Sequence, residues 1–243
     1  MIGCSCAVCT SLDPRDARFR SSILVSSATT QFVIDTTPDF RSQMLRAGVT
    51  KLDAVLFTHP HKDHIAGLDD VKAFCWFSKQ PMAVYANELT REALRREFHY
   101  VFAEKRYPGI PELEVHPIEL EPFYIGDIPV VPILVWHLHM PVLGFRLGHF
   151  TYITDANRID PEERAKIKGS QALVLNALRR EKHISHFTLD EAIEVVQQLE
   201  IPQGYFTHIS HQLGLHADVT VDLPNGIHLA YDDLVLDFPE KFD

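Results

Sequence analysis

Thr58-His59-Pro60-His61-Lys62-Asp63-His64 follows directly on the apolar run Leu52-Asp53-Ala54-Val55-Leu56-Phe57, and it packs three imidazoles and one carboxylate into six positions. Three histidines in so short a span cannot all find apolar homes, and packing gives no reason for H-x-H-x-D-H. A metal does. Neutral imidazole nitrogens and a carboxylate are preferred ligands of zinc, manganese and iron, and a strand leading into a loop lets alternate residues converge beyond the sheet edge.

A chain of 243 residues with 46% hydrophobic content can bury a sizeable core. Candidate ligands are scattered from residue 4 to residue 211, so one domain over 1–243 is expected. The net charge of -10 argues against nonspecific nucleic-acid or anionic-membrane binding. It leaves room for a small phosphate-bearing substrate, because bound cations would dominate the local field. The N-terminus lacks a basic segment followed by an apolar h-region, and no apolar run approaches transmembrane length, so a cytoplasmic protein is expected. Disulfides are then not expected among the four cysteines. Cys75, alone in an aromatic segment, reads as a small buried hydrophobe.

Strands and helices mix throughout. Ser22-Ile23-Leu24-Val25 and Gln31-Phe32-Val33-Ile34-Asp35 read as two strands joined by a small-residue turn, and 39–48 suits a short helix stopped at Gly48. A strand at 52–58, a helix near 64–78 and a strand at 82–86 follow. Asn87 can N-cap a helix running to about residue 103. Residues 108–132 hold six of the fifteen prolines, which predicts edge strands with irregular connections. Gly148-His149 between Phe145-Arg146-Leu147 and Phe150-Thr151-Tyr152 is a two-residue hairpin signal. Ala172-Leu173-Val174-Leu175-Asn176 reads as a buried strand. Thr188-Leu189-Asp190-Glu191 is a capping box opening a helix from 189 to about 199. Strands at 204–207, 227–230 and 234–236 close the chain.

A catalytic metal needs ligands from more than one loop. Asp155 follows the strand ending at Thr154, His208 follows the strand ending at Thr207, and His137 or His139 follows the apolar run ending at Val135. An isolated strand-end Asp is commonly a turn former or a cap. Recurrence of one arrangement, an apolar strand and then His or Asp, points instead to one face of a sheet.

With H-x-H-x-D-H at 59–64, then His137, Asp155 and His208 in that order, nearly the whole chain resembles the metallo-β-lactamase superfamily of hydrolases. The resemblance implies an α/β (α+β) fold, an αββα sandwich of two mixed sheets. It implies one metal on His59, His61 and His137, another on Asp63, His64 and His208, and Asp155 bridging them. His-x-x-x-Pro-Val-x-Gly, here His137 through Gly144, favours His137 over His139.

Cys4-x-Cys6-x-x-Cys9 lacks a fourth ligand locally, and a closed tetrahedral zinc site wants four. Together with Thr207-His208-Ile209-Ser210-His211 it resembles the phosphoribosyl cyclic phosphodiesterases of phosphonate breakdown, in which a structural zinc sits on such a Cys3His set; His211 would complete it. The resemblance also makes His186, ahead of the capped helix, a phosphate contact or proton donor. A histidine at a helix N-terminus sits where anions are attracted. Histidines 99, 116, 149, 183, 216 and 228 read as ordinary surface or core residues. Relatives begin with a strand and a Gly-rich loop ahead of the cysteines; this chain starts Met1-Ile2-Gly3-Cys4, so that edge strand is expected to be missing.

The implied activity is dinuclear metal-dependent hydrolysis of phosphodiesters, with small cyclic diesters such as phosphoribosyl 1,2-cyclic phosphate first among them. Two divalent catalytic metals (zinc or manganese, or iron) and one structural zinc are implied, with Asp63 serving both as ligand and in catalysis. A tRNA 3′-processing type of phosphodiesterase is the alternative, with nucleic acid as the less favoured partner. From another class comes a non-catalytic zinc-binding cofactor-assembly protein of the same fold. A homodimer is compatible with the resemblance, and no membrane partner is expected.

Overall fold

A computed structural model describes residues 1–104 and 107–238. The chain forms two compact units, Arg20–Pro129 and Met1–Phe19 together with the chain from Val130 onward.

The Arg20–Pro129 unit holds a five-stranded mixed sheet in the order β1 (Ile23–Ser26), β2 (Gln31–Ile34), β3 (Ala54–Leu56), β4 (Met82–Ala86), β5 (Leu113–Pro117). Only the β1–β2 pair is antiparallel. Phe32-Val33-Ile34 and Ala54-Val55-Leu56 are buried throughout, as expected of parallel strands covered on both faces. Val33, Val55, Val84 and Val115 stand in register across four strands, and β-branched side chains pack well in such a row. Phe40 of α1 (Phe40–Arg46) and Leu94 of α4 (Glu88–Glu97) belong to the same core cluster.

Two helices differ from expectation. The region 64–78 is three pieces: α2 (Lys62–Ile65), a 3-10 turn (Leu68–Val71) and α3 (Lys72–Ser78). The break lies at Gly67, whose N–H donates to Thr36 O at 2.9 Å. A Cβ there would stand 2.1 Å from Thr37 O, so the turn presses backbone against backbone where only glycine fits. Asn87 does cap α4, its Oδ1 accepting from Thr90 N at 2.9 Å, but the helix ends at Glu97. A turn follows that buries Phe98 and Val101 in the core cluster. β6 (Phe123–Ile125) is the last strand of this unit. Cys75 is half-buried, its Sγ 3.4 Å from Glu112 O.

In the second unit seven strands run in the order β10 (Arg158–Ile159), β7 (Ile128–His137), β8 (Met140–Leu147), β9 (Phe150–Tyr152), β11 (Ala172–Asn176), β12 (Gln203–Thr207), β13 (Ile227–Leu229). The first four are antiparallel and the last four are parallel. Gly148 at φ +60 turns the β8–β9 hairpin, with Leu147 opposite Phe150. Thr188 and Glu191 form the capping box of α6 (Leu189–Gln198).

The proline-rich segment does not yield only edge strands: β7 lies between β8 and β10. Pro132 is tolerated because its ladder side faces α5 (Pro161–Ile167). The next N–H on that side, at Leu134, donates to a Glu163 carboxylate oxygen at 2.8 Å, and Lys166 Nζ donates to Pro132 O at 3.2 Å. The missing proline N–H therefore costs no strand-to-strand bond. The expected strand at 234–236 does not form. A turn with Asp233 at φ +68 precedes it, and Val235 is 74% exposed. Among the described residues no helix is long and apolar enough to cross a membrane.

Candidate metal centre

The Arg20–Pro129 unit supplies His59, His61, Asp63 and His64. Thr58 and His59 leave the carboxyl end of β3 and are fully buried, while His61 N-caps α2, placing Asp63 and His64 in its single turn. His59 Nε2 lies 3.1 Å from His61 Nδ1, and the His59 and His64 rings are 4.2 Å apart. His64 Nε2 is 3.8 Å from Asp63 Oδ2.

Behind them stands a residue that sequence reasoning passed over. Asp35, at the end of β2, is fully buried with φ +67. It accepts from Thr58 N at 2.9 Å and Thr58 Oγ1 at 2.8 Å, and His64 Nδ1 is 2.7 Å from its Oδ2. Burial pushes the Asp35 carboxyl up, with His64 and Thr58 pulling against it. Thr58 spends both its N–H and its O–H on Asp35, and with Asp35 as a carboxylate His64 Nδ1 donates to it as well. The Thr58 hydroxyl, spending its hydrogen on Asp35, must accept from His59 Nδ1, 2.9 Å away. One carboxylate thus fixes Nδ1–H on both His59 and His64 and turns both Nε2 lone pairs outward, where they can ligate a cation. Asp35 carries the same signal that singled out Asp155, an apolar strand ending in Asp.

The second unit supplies His137, Asp155, His186 and His208. Asp155 and His208, past the ends of β9 and β12, have φ +54 and +53, a left-handed backbone that costs non-glycine residues energy and clusters at functional sites. Asp155 is buried, Thr154 Oγ1 donates to its Oδ2 at 2.6 Å, and its Oδ1 is 3.1 Å from His186 Nε2 and 3.2 Å from His208 Nε2. Donor atoms of Asp155, His186 and His208 lie within 4.8 Å of one another. His137 Nδ1 donates to Asp155 O at 3.0 Å, which turns its Nε2 outward. His139 is exposed in the β7–β8 turn.

In the same unit one donor atom from each of Cys4, Cys6, Cys9 and His211 falls within 4.8 Å of the others. His211 Nδ1 is 3.5 Å from Cys4 Sγ and 3.4 Å from Cys6 Sγ. The N-terminal segment is pinned there by Asp16, whose Oδ1 accepts from His216 N at 2.8 Å, and by Arg18, 3.2 Å from His216 Nδ1. The His211 imidazole is the chief cause that lowers the Cys6 thiol to about 6, favouring the thiolate, the metal-ligating form.

These donor sets fit divalent cations. Three sulfurs and one imidazole suit a closed tetrahedral zinc, and imidazoles with carboxylates suit zinc, manganese or iron.

Residues 30–209 match the family model of the beta-lactamase superfamily domain. The crystal structure of a new diphosphatase from the PhnP family superposes with a TM-score of 0.92 at 38% identity, covering 100% of this chain and 93% of that one. Zinc-bound PqqB from Methylobacterium extorquens (TM-score 0.73, 20% identity, 98% and 95% covered) and the short form of human tRNase Z (0.69, 17%, 90% and 93%) share the fold. A curated octanoyltransferase of Porphyromonas gingivalis is 40% identical over 243 residues, 99% of this chain. The chain spans about half the length of that relative, 49%. Two mixed sheets with their helices match the metallo-β-lactamase fold.

Proposed function

This chain belongs to the beta-lactamase superfamily, in its PhnP family, and on that premise we propose that this hydrolase cleaves phosphodiesters with two divalent cations, small cyclic diesters first among them. His59, His61 and His137 would hold one cation, Asp63, His64 and His208 the other, and Asp155 would bridge. Bound cations supply Lewis acidity, which lowers the pKa of water and neutralises charge on phosphoryl oxygens. The rest falls to the chain. Asp35 and Thr58 hold the tautomers of His64 and His59, while the Asp155 carbonyl holds that of His137. His186 gives a proton to the departing oxygen. The observation that supports this reading is His186 Nε2 at 3.1 Å from Asp155 Oδ1, which sets an imidazole beside the carboxylate that would join the two cations.

Manganese- and zinc-loaded protein, assayed on bis(p-nitrophenyl) phosphate, five-carbon cyclic phosphates, nucleoside diphosphates and RNA 3′ ends, tests it. Turnover of a cyclic diester is expected, and release only from diphosphates or RNA would replace this substrate class. The named activity of the Porphyromonas gingivalis relative favours one second reading, acyl transfer; octanoyl transfer to a lipoyl domain, assayed alongside, is expected to be absent.

We further assign the cysteine set to a structural zinc. Cys6→Ser is expected to lose one zinc equivalent and to unfold at lower temperature while keeping the other metals; unaltered metal content in that variant would remove the assignment.

A further inference from the structure

His183, Ser185 and His186 form a polar cluster of which the roles above use only His186. His183 and His186 approach through their Nδ1 atoms at 3.1 Å, with ring centroids 4.9 Å apart. The Ser185 hydroxyl lies between them, 3.1 Å from His186 Nδ1 and 3.3 Å from His183 Nδ1, and Ser185 N donates to His183 Nδ1 at 3.3 Å. A backbone N–H can only donate, so His183 Nδ1 is an acceptor, and the hydrogen between the two rings belongs to His186. Burial first, then His186 and Arg179, lower the His183 pKa, which keeps that ring neutral and able to accept.

The segment around the pair is fixed. Arg179 donates to the carbonyls of Glu181 and Lys182 and to Gln212 Oε1, and Leu178 N donates to Phe187 O. Ser185 and His186 are buried, while His183 is half-buried. The opposite edge of the His186 ring, Nε2, faces Asp155 Oδ1.

We propose that His183 and Ser185 are positioning residues that grip the Nδ1 edge of His186 and so keep its Nε2 aimed at the oxygen leaving phosphorus. The proposal rests on the hydrolytic reading above. In that reaction a water oxygen bonds to phosphorus, the phosphorus–alkoxide bond breaks with its electrons going to the alkoxide oxygen, His186 protonates that oxygen, and a water proton restores His186.

A substrate pair separates this role from plain support of the fold. p-Nitrophenolate leaves without needing a proton, whereas the ribose alkoxide of a nucleoside 2′,3′-cyclic phosphate needs one. In manganese-loaded protein, His183→Ala is expected to raise the kcat ratio of bis(p-nitrophenyl) phosphate to the cyclic phosphate by about tenfold or more, a part of the 10²–10⁴ that a general acid contributes. His183→Asn, whose Oδ1 stands about where Nδ1 stood, is expected to restore the ratio, and Ser185→Ala to shift it in the same direction as His183→Ala. Nitrogen-15 shifts of His186 should report a hydrogen on Nδ1 in the wild type, a readout that holds even if the alanine variant does not fold. Equal losses on both substrates, no loss on either, or a His186 Nδ1 that carries no hydrogen would overturn the proposal. A wild type that turns over neither diester removes the hydrolytic reading itself, and this inference with it.

Discussion

Replacing Asp155 by Ala lowers turnover of bis(p-nitrophenyl) phosphate by about 10²–10³-fold or more, the scale on which one preorganised electrostatic group is lost from an active site. The carboxylate is buried, receives the Thr154 hydroxyl, and faces two imidazoles at 3.1 and 3.2 Å. Without it the site gains positive charge and loses the group that would join two cations. Asp155 has φ +54, so Ala adds backbone strain, and Asp155→Asn is the informative companion because Asn tolerates that conformation. Both variants should retain the wild-type circular dichroism spectrum, and Asp155→Asn should share the loss of activity. Initial rates at saturating manganese decide the matter, and an Asp155→Asn enzyme with full activity sinks the bridging role.

Asp35→Asn should weaken catalytic metal binding by about 10–100-fold, the usual result of removing a group that orients a ligand. The position accepts from Thr58 N and Thr58 Oγ1 and faces His64 Nδ1. An amide in its place points an NH2 at one of three donors, so at least one hydrogen bond becomes a donor–donor contact. Thr58→Val, which removes the hydroxyl from both His59 and Asp35, should weaken binding as well, and Thr58→Ser, which keeps the hydroxyl, should bind like the wild type. Chelator competition measures all three. Equal affinities for Asp35→Asn and the wild type would show that the imidazoles hold their orientation without the carboxylate.

What was legible in the sequence was local. The density of residues 59–64 excludes packing as an explanation. The cap at Asn87, the capping box at Thr188 and the turn at Gly148 are each written within four residues, and each forms as read. The two mixed sheets followed from the family resemblance, carried by the order of His and Asp at strand ends. What escaped depends on distant contacts. Gly67 breaks a helix because it meets the backbone of Thr36 and Thr37, some thirty residues earlier. Pro132 sits inside a sheet because Glu163 and Lys166 satisfy that side of β7. Asp35 ends its strand as Asp155 does, but its partners Thr58 and His64 declare themselves only once β2 and β3 pair in register. His183 read as an ordinary surface or core residue because nothing in its neighbourhood marks Ser185 as a bridge to His186.

The metal content of the purified wild-type chain, measured by inductively coupled plasma mass spectrometry after manganese and zinc loading, bears most directly on the dinuclear reading. About three equivalents per chain are expected, two held by the histidine–aspartate sets and one by the cysteines. About one equivalent, retained in Asp155→Ala and lost in Cys6→Ser, would contradict it and leave a zinc-binding protein of this fold without a catalytic centre.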